Sequence, residues 1–526
     1  MTRPTTTGKA QDLITFTRST TGTALAKISY GEELVTNGTF DNDAVGATPS
    51  TWETNSANAS LIKQSDGTAL FSSASFAYAR VANADRPIIP AGVYKVSFSI
   101  SDTSGSLSNV HVGVGTGGNT ISGDGDYQYL FTATSEQAYE LQIRPNGGGT
   151  GAFKIDNISI KEVLYDQPDG TLQLFNHPIN KPRIEYDASG NCLGLLVEET
   201  RSNRVPYSDL SAHWNWVNTT DIGGAATAPD GTQTATLMRE NTAGTAHITF
   251  AAIVSASTST TASIFAKAGG RRYLQLSAST NQTSWAVFDL EQGVVTAQAA
   301  SGITATIEPY GNGWYRCNAA LTLPASGTTT NFVWGSSISA TSGDRSVYQG
   351  DGVSGIYLWG AQVETGSFPT SYIPTSGSNV TRAADVASLA VSEFGYNQDQ
   401  GSVFINCLII ERPSTNRRVI DGNSNNKRWM YVNAPDNNYG LKYYDSTNNV
   451  TLVESGIPLN MKAAVAVTPT QVFGAANSSN VGSGAHNGTL LDISQFNFFA
   501  NLTGHIKSVQ YYPLRLSNAQ LQALTV

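Results

Sequence analysis

Over much of the chain apolar and polar residues alternate with a period of two, and the alternation stops and restarts at clusters of Gly, Asn, Asp and Ser. In AGVYKVSFSIS, Tyr94, Val96 and Phe98 fall on one side, and Val93, Lys95 and Ser97 fall on the other. Successive side chains of a strand point to opposite faces, so this pattern predicts a half-buried strand. YQYLFTAT, AYELQIRP, TASIFAKAG, RRYLQLSAS, SWAVFDLEQG and GNGWYRCNAALTL are strand-like in the same sense. SVFINCLIIE is almost continuously apolar, as expected of a strand buried on both faces. One stretch changes period: beyond Tyr512 and Pro513, Ser517 stands as the N-cap of a single helical turn over 518–524. The expected fold class is all-β, with antiparallel β-sandwich modules in tandem.

The punctuation divides the chain. Residues 1–31 hold a polar start and a short β-leaning piece around Phe16, too short to bury a core alone. Residues 33–163 form a first module and 195–365 a second, separated by a proline-interrupted connector at 164–194. The two modules share a layout. Each opening segment ends in tryptophan (Trp52; Trp214 and Trp216), a central strand follows, and a closing strand ends the module (FKIDNISI; GIYLWGAQVE). Residues 366–385 read as a linker, because Gly366, Pro369 and Pro374 break any strand before a polar stretch ending in Arg382 and Asp385. Residues 386–526 form a third module.

Composition narrows the function classes. Of 526 residues 13% are charged and 40% hydrophobic, and 50 are glycine, a mix poor in helix formers. The net charge of −9 and the lack of a dense basic run argue against a nucleic-acid partner. No apolar stretch has the length of a membrane span and the start, MTRPTTTGKAQD, is polar, so neither membrane insertion nor a Sec-type signal is expected. Cys192, Cys317 and Cys407 are far apart in strand-like contexts and are expected as buried, unpaired thiols.

Four stretches carry a family resemblance: FTRSTTGTA, PRIEYDASGNCLGLLVEETRSN, GAQVETGSFPTSYIPTSGSNVTRAADV and GHIKSVQYYPLRLSNAQLQAL. Together they resemble the modular tail and fibre proteins of tailed bacteriophages. In that group the FTRS-like opening runs almost directly into the PRxxYD piece, so residues 33–163 look like an insertion. The first two modules resemble carbohydrate-binding jelly rolls, and the third resembles a laminin-G/concanavalin-like sandwich. The resemblance implies a virion structural protein, a tail fibre, spike or receptor-binding protein, that binds host-surface polysaccharide during adsorption. It also implies a homotrimer on the virion surface, assembled in the host cytoplasm and docked on other virion proteins through residues 1–31. A capsid decoration or head fibre with the same modules, a capsular polysaccharide depolymerase and a plain spacer are the alternatives.

The chemistry is read against that background. No GxSxG, HExxH, P-loop or CxxC pattern is present and the six histidines are scattered, so no enzyme is expected. Glu198-Glu199 and Asp41-Asn42-Asp43 are sequence neighbours, which on a strand point apart, and they are expected as solvated surface. No cofactor is required. Jelly rolls of this kind often hold a structural Ca²⁺ where first and last strands meet, and Asn37, Asp41 and Asp156 are the candidate ligands. Plain turn residues capping backbone groups are the competing reading. Glycan recognition needs aromatic faces with polar groups beside them. Trp52, Trp214, Trp216, Trp285, Trp429 and Tyr431 are the candidates. Trp214 and Trp216, at i and i+2 in a polar segment, are the best exposed pair, whereas Trp314 and Trp359 are assigned to the core.

Overall fold

The structure is a computed structural model. It describes residues 14–526 apart from 74–76, 106–109, 115–116, 122, 134, 139–140, 146–149, 168, 211–212, 255–258, 279–283, 324–328, 342–344, 411–416, 423–427, 434–439, 446–448, 455–456, 486–492 and 501. Among the described residues the regular secondary structure is almost all antiparallel strand, with one α-helix at Asn518–Leu524. The chain divides into two compact units, Lys27–Thr171 and the remainder, Met1–Ala26 with Leu172–Val526.

In the unit Lys27–Thr171 two long strands, Gly92–Gly105 and Gly151–Tyr165, pair with each other. Gly125–Ala133 joins the first of them and Ala69–Ser73 the second. A five-stranded sheet faces them, in the order Gly117–Ile121, Val110–Val114, Leu141–Pro145, Ala79–Val81, Trp52–Thr54. The alternation read from the sequence places Tyr94, Val96, Phe98 and Ile100 inward, against Phe153, Ile155, Leu141 and Ile143. Burying each of these side chains contributes about 1.5–3 kcal/mol. The closing strand is interrupted where its register shifts between Asp156 and Ser159, with Asn157 at φ 53°.

The second unit contains two sandwiches. In one, a sheet Asn215–Val217, Ile248–Val254, Thr329–Ser337, Tyr273–Ala278, Ser284–Asp289, Val294–Gln298 faces a sheet Thr219–Ala226, Ala235–Glu240, Gly355–Thr365, Ser259–Gly269, Trp314–Thr322, Ile303–Gly311. Leu274, Phe288, Phe332 and Trp334 meet Ile264, Cys317, Ile356 and Leu358 between them. The closing strand Gly355–Thr365 is interior, with partners on both sides. Trp314 and Trp359 are buried in a smaller cluster with Phe265 and Tyr372.

The C-terminal sandwich draws on three stretches of chain. Thr15–Thr17 pairs with Val386–Ala390, and Phe16 lies in the core. Ile184–Tyr186 and Cys192–Val197 extend the opposite sheet through Gly504–Tyr512, next to Gly401–Ile409. Residues 184–186, expected in a connector, and 195–197, expected in the second module, are therefore structural strands of the third. Such short strands bury few residues of their own, and nothing local in the sequence reveals a pairing hundreds of residues away. Residues 14–26 of the expected docking segment belong to this unit, and residues 1–13 lie outside the described residues. The helix Asn518–Leu524 is capped as its sequence predicts. Ser517 Oγ accepts from Gln520 N at 3.3 Å and Gln520 Oε1 accepts from Ser517 N at 2.8 Å.

The expected linker at 366–385 is a packed segment instead. Thr370, Ser371, Tyr372, Ile373 and Thr375 are buried. Around Pro369 and Pro374 it forms no strand, so backbone N–H groups there turn to side chains, and only further on does Val380–Arg382 pair with Arg201–Asn203. Thr370 N donates to Glu364 Oε1 at 2.8 Å, Ser371 N to Glu198 Oε1 at 2.8 Å, Ile373 N to Gln362 Oε1 at 2.7 Å and Thr375 N to Ser208 Oγ at 2.8 Å. Glu198 is thus buried, not solvated surface as its pairing with Glu199 suggested. Of the three cysteines, Cys317 and Cys407 are buried and Cys192 is exposed, against the expectation of three buried thiols. Cys192 opens its strand at the edge of a turn, where no layer covers it.

Candidate functional site

The motif residues that carried the family resemblance converge. Arg18 follows the strand Thr15–Thr17, Arg183 precedes Ile184–Tyr186, Glu198 follows Cys192–Val197, Arg382 ends Val380–Arg382 and Asp385 precedes Val386–Ala390. All five side chains are buried. Asp385 Oδ1 accepts from Arg18 Nη1 at 3.0 Å and its Oδ2 takes Arg183 Nη2. Arg183 Nη1 lies 2.8 Å from Glu198 Oε2, and Arg382 Nη2 lies 3.5 Å from the same oxygen. Glu198 and Asp385 are tied by their backbones too, since Asp385 N donates to Glu198 O at 2.8 Å and Glu198 N to Asp385 Oδ2 at 2.9 Å. Burial pushes the Glu198 carboxyl up, but Arg382, Arg183 and the Ser371 hydroxyl and N–H outweigh it and hold Glu198 below the usual carboxylate range. Burial and then Arg183 bring Arg18 down to about 10, against the pull of Asp385, so it stays protonated at neutral pH.

This hub stands behind one wall of a cleft of about 470 Å³, which Glu198 and Ser371 line from the hub side. The volume falls in the range of roughly 300–1,000 Å³ typical of small-ligand sites. The facing wall is the hairpin Ile303–Gly311 and Trp314–Thr322. Ile303, Cys317, Ala319 and Leu321 point into the sandwich core. The alternate positions therefore face out, as the cross-strand rungs Thr304–Ala320, Thr306–Asn318 and Glu308–Arg316. Arg316 Nη2 donates to Ser263 Oγ at 3.1 Å, and its guanidinium carbon lies 5.5 Å from the centroid of the Phe265 ring. Tyr310 packs edge-on against Phe265, with centroids 4.8 Å apart. At the other end Glu185 Oε2 lies 2.6 Å from His505 Nε2. Asn318 Oδ1 and His505 Nδ1 are buried without a hydrogen-bond partner. Solvent reaches Glu308, yet protein surrounds it on most sides, and that raises its pKa above the ordinary carboxylate value. Aromatic and apolar walls with carboxylate, amide, hydroxyl and guanidinium groups between them suit a polyhydroxylated ligand.

None of the residues singled out from sequence as glycan platforms lines this cleft. Trp52 is a core residue, 5% exposed, with its indole N–H donating to Asn37 O at 3.1 Å and its ring 5.8 Å from Phe40. It is not a platform, because the strand Trp52–Thr54 turns it inward. Trp214, Trp216 and Trp285 are partly buried and pack against the second sandwich. Trp214 donates its indole N–H to Tyr207 O at 2.9 Å. Trp216 and Trp285 lie on the strands Asn215–Val217 and Ser284–Asp289, in the sheet opposite the cleft hairpin. Trp429 and Tyr431 belong to the strand Arg428–Asn433, and their side chains lie outside the described residues. The cleft residues were missed because each is an ordinary polar residue in a strand. The available signal was the Gly311-Asn312-Gly313 turn, which fixes the hairpin register and so stacks its polar positions on one face.

The expected calcium ligands separate. Asn37 Nδ2 donates to Asp43 Oδ2 at 2.6 Å and Ser50 O at 2.8 Å, so its amide braces its own loop. Asp156 Oδ1 is buried without a hydrogen bond. Burial raises its pKa, and the nearby charge of Asp41 adds to the rise. The Lys63 charge and the Asn157 N–H act against that rise, and among the described residues no group of three or more His, Cys, Asp or Glu side chains is placed to hold a metal ion.

No family model matches the sequence, and no curated protein is similar to it. Among solved structures the chain is similar to the N-terminal CBM22-1-CBM22-2 tandem domain of Paenibacillus barcinonensis Xyn10C, at 10% identity and a TM-score of 0.20, covering 64% of this chain and 98% of that one.

Proposed function

We propose that this chain is a non-catalytic glycan-binding protein of a tailed-phage virion, a fibre, spike or receptor-binding protein, and that the cleft beside the hairpin 303–322 takes the host glycan. The observation that carries the reading is the cleft itself: polar rungs Thr306–Asn318 and Glu308–Arg316 face an apolar and aromatic surround in a space of small-ligand size. The phage assignment rests on the motif residues, which this chain concentrates in one buried hub. A single shallow site of this kind binds weakly. Repetition on a homotrimer, docked to the virion through its N-terminal residues, turns weak binding into avidity. A structural Ca²⁺ on Asp41 and Asp156 belongs to the same reading.

The test is binding of host-surface polysaccharide to the full chain. Thr306 is exposed on the cleft wall, so Thr306→Trp fills the cleft without touching the core. It is expected to abolish binding with the melting curve unchanged, while Trp214→Ala and Trp216→Ala bind as before. Loss of binding only in the tryptophan variants moves the site to the opposite sheet. Release of reducing ends from the polysaccharide overturns the non-catalytic assignment, and labelling of heads instead of tails on the particle makes the chain a capsid decoration.

A further inference from the structure

We infer that the cleft selects glycans carrying a free amino group, such as unacetylated hexosamine chains, over glycans carrying carboxylates. This rests on the cleft being a glycan site. Four carboxylates line it: Glu185, Asp187, Glu198 and Glu308. Two are already answered by the protein. Glu198 is neutralised from behind by Arg183 and Arg382, and Glu185 is bonded to His505. Arg316 faces Glu308 across its rung and its charge partly offsets that carboxylate, but the guanidinium is buried whereas Glu308 is exposed, so the carboxylate is the member of the pair that a ligand meets. Asp187 is engaged by the backbone N–H groups of Ser189 and Asn191, at 2.9 Å each, in its own turn. The charge presented to a ligand is therefore negative, and Glu308 is its accessible part.

A second observation points the same way without relying on charge. Asn318 is 1% exposed and lines the cleft one rung from Glu308, and its Oδ1 accepts no hydrogen bond within the protein. A buried acceptor left unsatisfied costs free energy until a donor arrives. A ligand ammonium is all donor: three N–H groups and no lone pair. A uronate or sialate carboxylate is all acceptor, and would bring a third negative charge to Glu308 and Asp187 while leaving Asn318 Oδ1 unmet.

The experiment compares three probes by calorimetry on the full chain: glucosamine oligomers, the same oligomers N-acetylated, and galacturonate oligomers. The amino form is expected to bind about tenfold more tightly than the acetylated one, the worth of one hydrogen bond between charged partners, and the galacturonate more weakly than either. Added salt is expected to shrink the difference. Glu308→Gln, at an exposed strand position, is expected to bring the ratio of amino to acetylated affinity close to one, with folding checked by the melting curve. Equal binding of all three probes, stronger binding of galacturonate, or an unchanged ratio in Glu308→Gln overturns the charge selection and leaves the glycan site standing. Failure of all three to bind, in wild type as in Thr306→Trp, overturns both.

Discussion

The two compact units use charge in opposite ways. In Lys27–Thr171 the described ion pairs lie at the surface: Arg80 with Glu53, and Lys154 between Asp66 and Asp102, the three carboxylates 39–65% exposed. The core beneath them is apolar. In the remainder, Arg18, Arg183, Arg382, Glu198 and Asp385 are all buried in one cluster. The first unit is continuous in sequence. The hub gathers residues from five places along the chain, up to 367 positions apart. Apolar packing does not distinguish one partner strand from another, whereas an ion cluster is satisfied by one arrangement only. We read the hub as the device that makes these distant segments meet in register. The cleft borrows its rigidity, since Glu198 and Ser371 serve both.

The largest expected break in that contrast is Asp385→Ala. It leaves Arg18 and Arg183 buried without their shared counter-ion, a loss of about 3–5 kcal/mol or more. Calorimetry of the full chain is expected to show the transition of the larger unit lowered or lost and that of Lys27–Thr171 unmoved. Asp66→Ala, which removes an exposed partner of Lys154, is expected to move neither transition measurably. Equal effects from the two substitutions would mean that the hub contributes no more than a surface pair.

Acid sharpens the same contrast at smaller size. His177 is fully buried, and burial first, then Arg183 and Arg18, lower its pKa from 6.5 to about 3. It is neutral in the folded unit over that range while the unfolded chain takes up a proton, so stability is present above pH 6.5 and is lost as pH falls. That loss reaches about 2 kcal/mol at pH 5. Glu198, held below its ordinary value, acts in the same direction, beginning below its unfolded pKa of about 4.5. In Lys27–Thr171 the lowered carboxylates Asp66 and Asp124 are exposed and screened, while Asp156 and Asp166 are shifted the other way, Asp166 up to about 7 by burial, so that unit gains stability as pH falls. In the larger unit Asp230, Glu308 and Glu364, raised by burial, oppose that loss, so the expected signature is a difference: between pH 7 and pH 4 the wild-type transition of the larger unit falls relative to that of His177→Gln, while the transition of the smaller unit holds or rises. A parallel decline of both transitions would remove His177 and Glu198 as the cause.

What was legible in the sequence was whatever a period or a local cap encodes. The inward set Tyr94, Val96, Phe98 and the Ser517 cap both follow from neighbours within a few residues. The core placement of Trp314 and Trp359 follows from their apolar strand contexts. The hub was present as motif letters, but a polar or proline-rich stretch reads as surface until its partners are known. Glu198 looks solvated beside Glu199, and PTSYIPT looks like a hinge because its prolines exclude a ladder. Only the fold shows that Glu198, Gln362 and Glu364 take the place of that ladder. The cleft was hidden for a related reason. Glu308 and Asn318 acquire meaning only when the hairpin and the segment 185–188 come together, and tryptophans drew attention to the opposite sheet.

The smallest effect expected belongs to the smaller unit and concerns calcium. Asp156 sits at the break in the closing strand, with one oxygen unmet and its pKa raised by burial and by Asp41. At neutral pH this carboxylate destabilises the fold, because the folded state resists its ionisation more than the unfolded chain does. A bound Ca²⁺ reverses that sign by supplying the missing charge. With an affinity in the range of extracellular modules, about 10⁻⁴–10⁻³ M, 1 mM Ca²⁺ stabilises by roughly 0.5–1.5 kcal/mol. The transition of Lys27–Thr171 is then expected to rise with Ca²⁺ and fall back with chelator, and that of the larger unit to stay fixed. Asp156→Asn separates the ion from the carboxylate: it removes the repulsion with Asp41, so the calcium-free unit should melt no lower than wild type, and it removes a ligand, so the response to Ca²⁺ should vanish. A wild-type transition indifferent to Ca²⁺, with Asp156→Asn still stabilising, would leave Asp156 as a strained carboxylate at a strand break and nothing more.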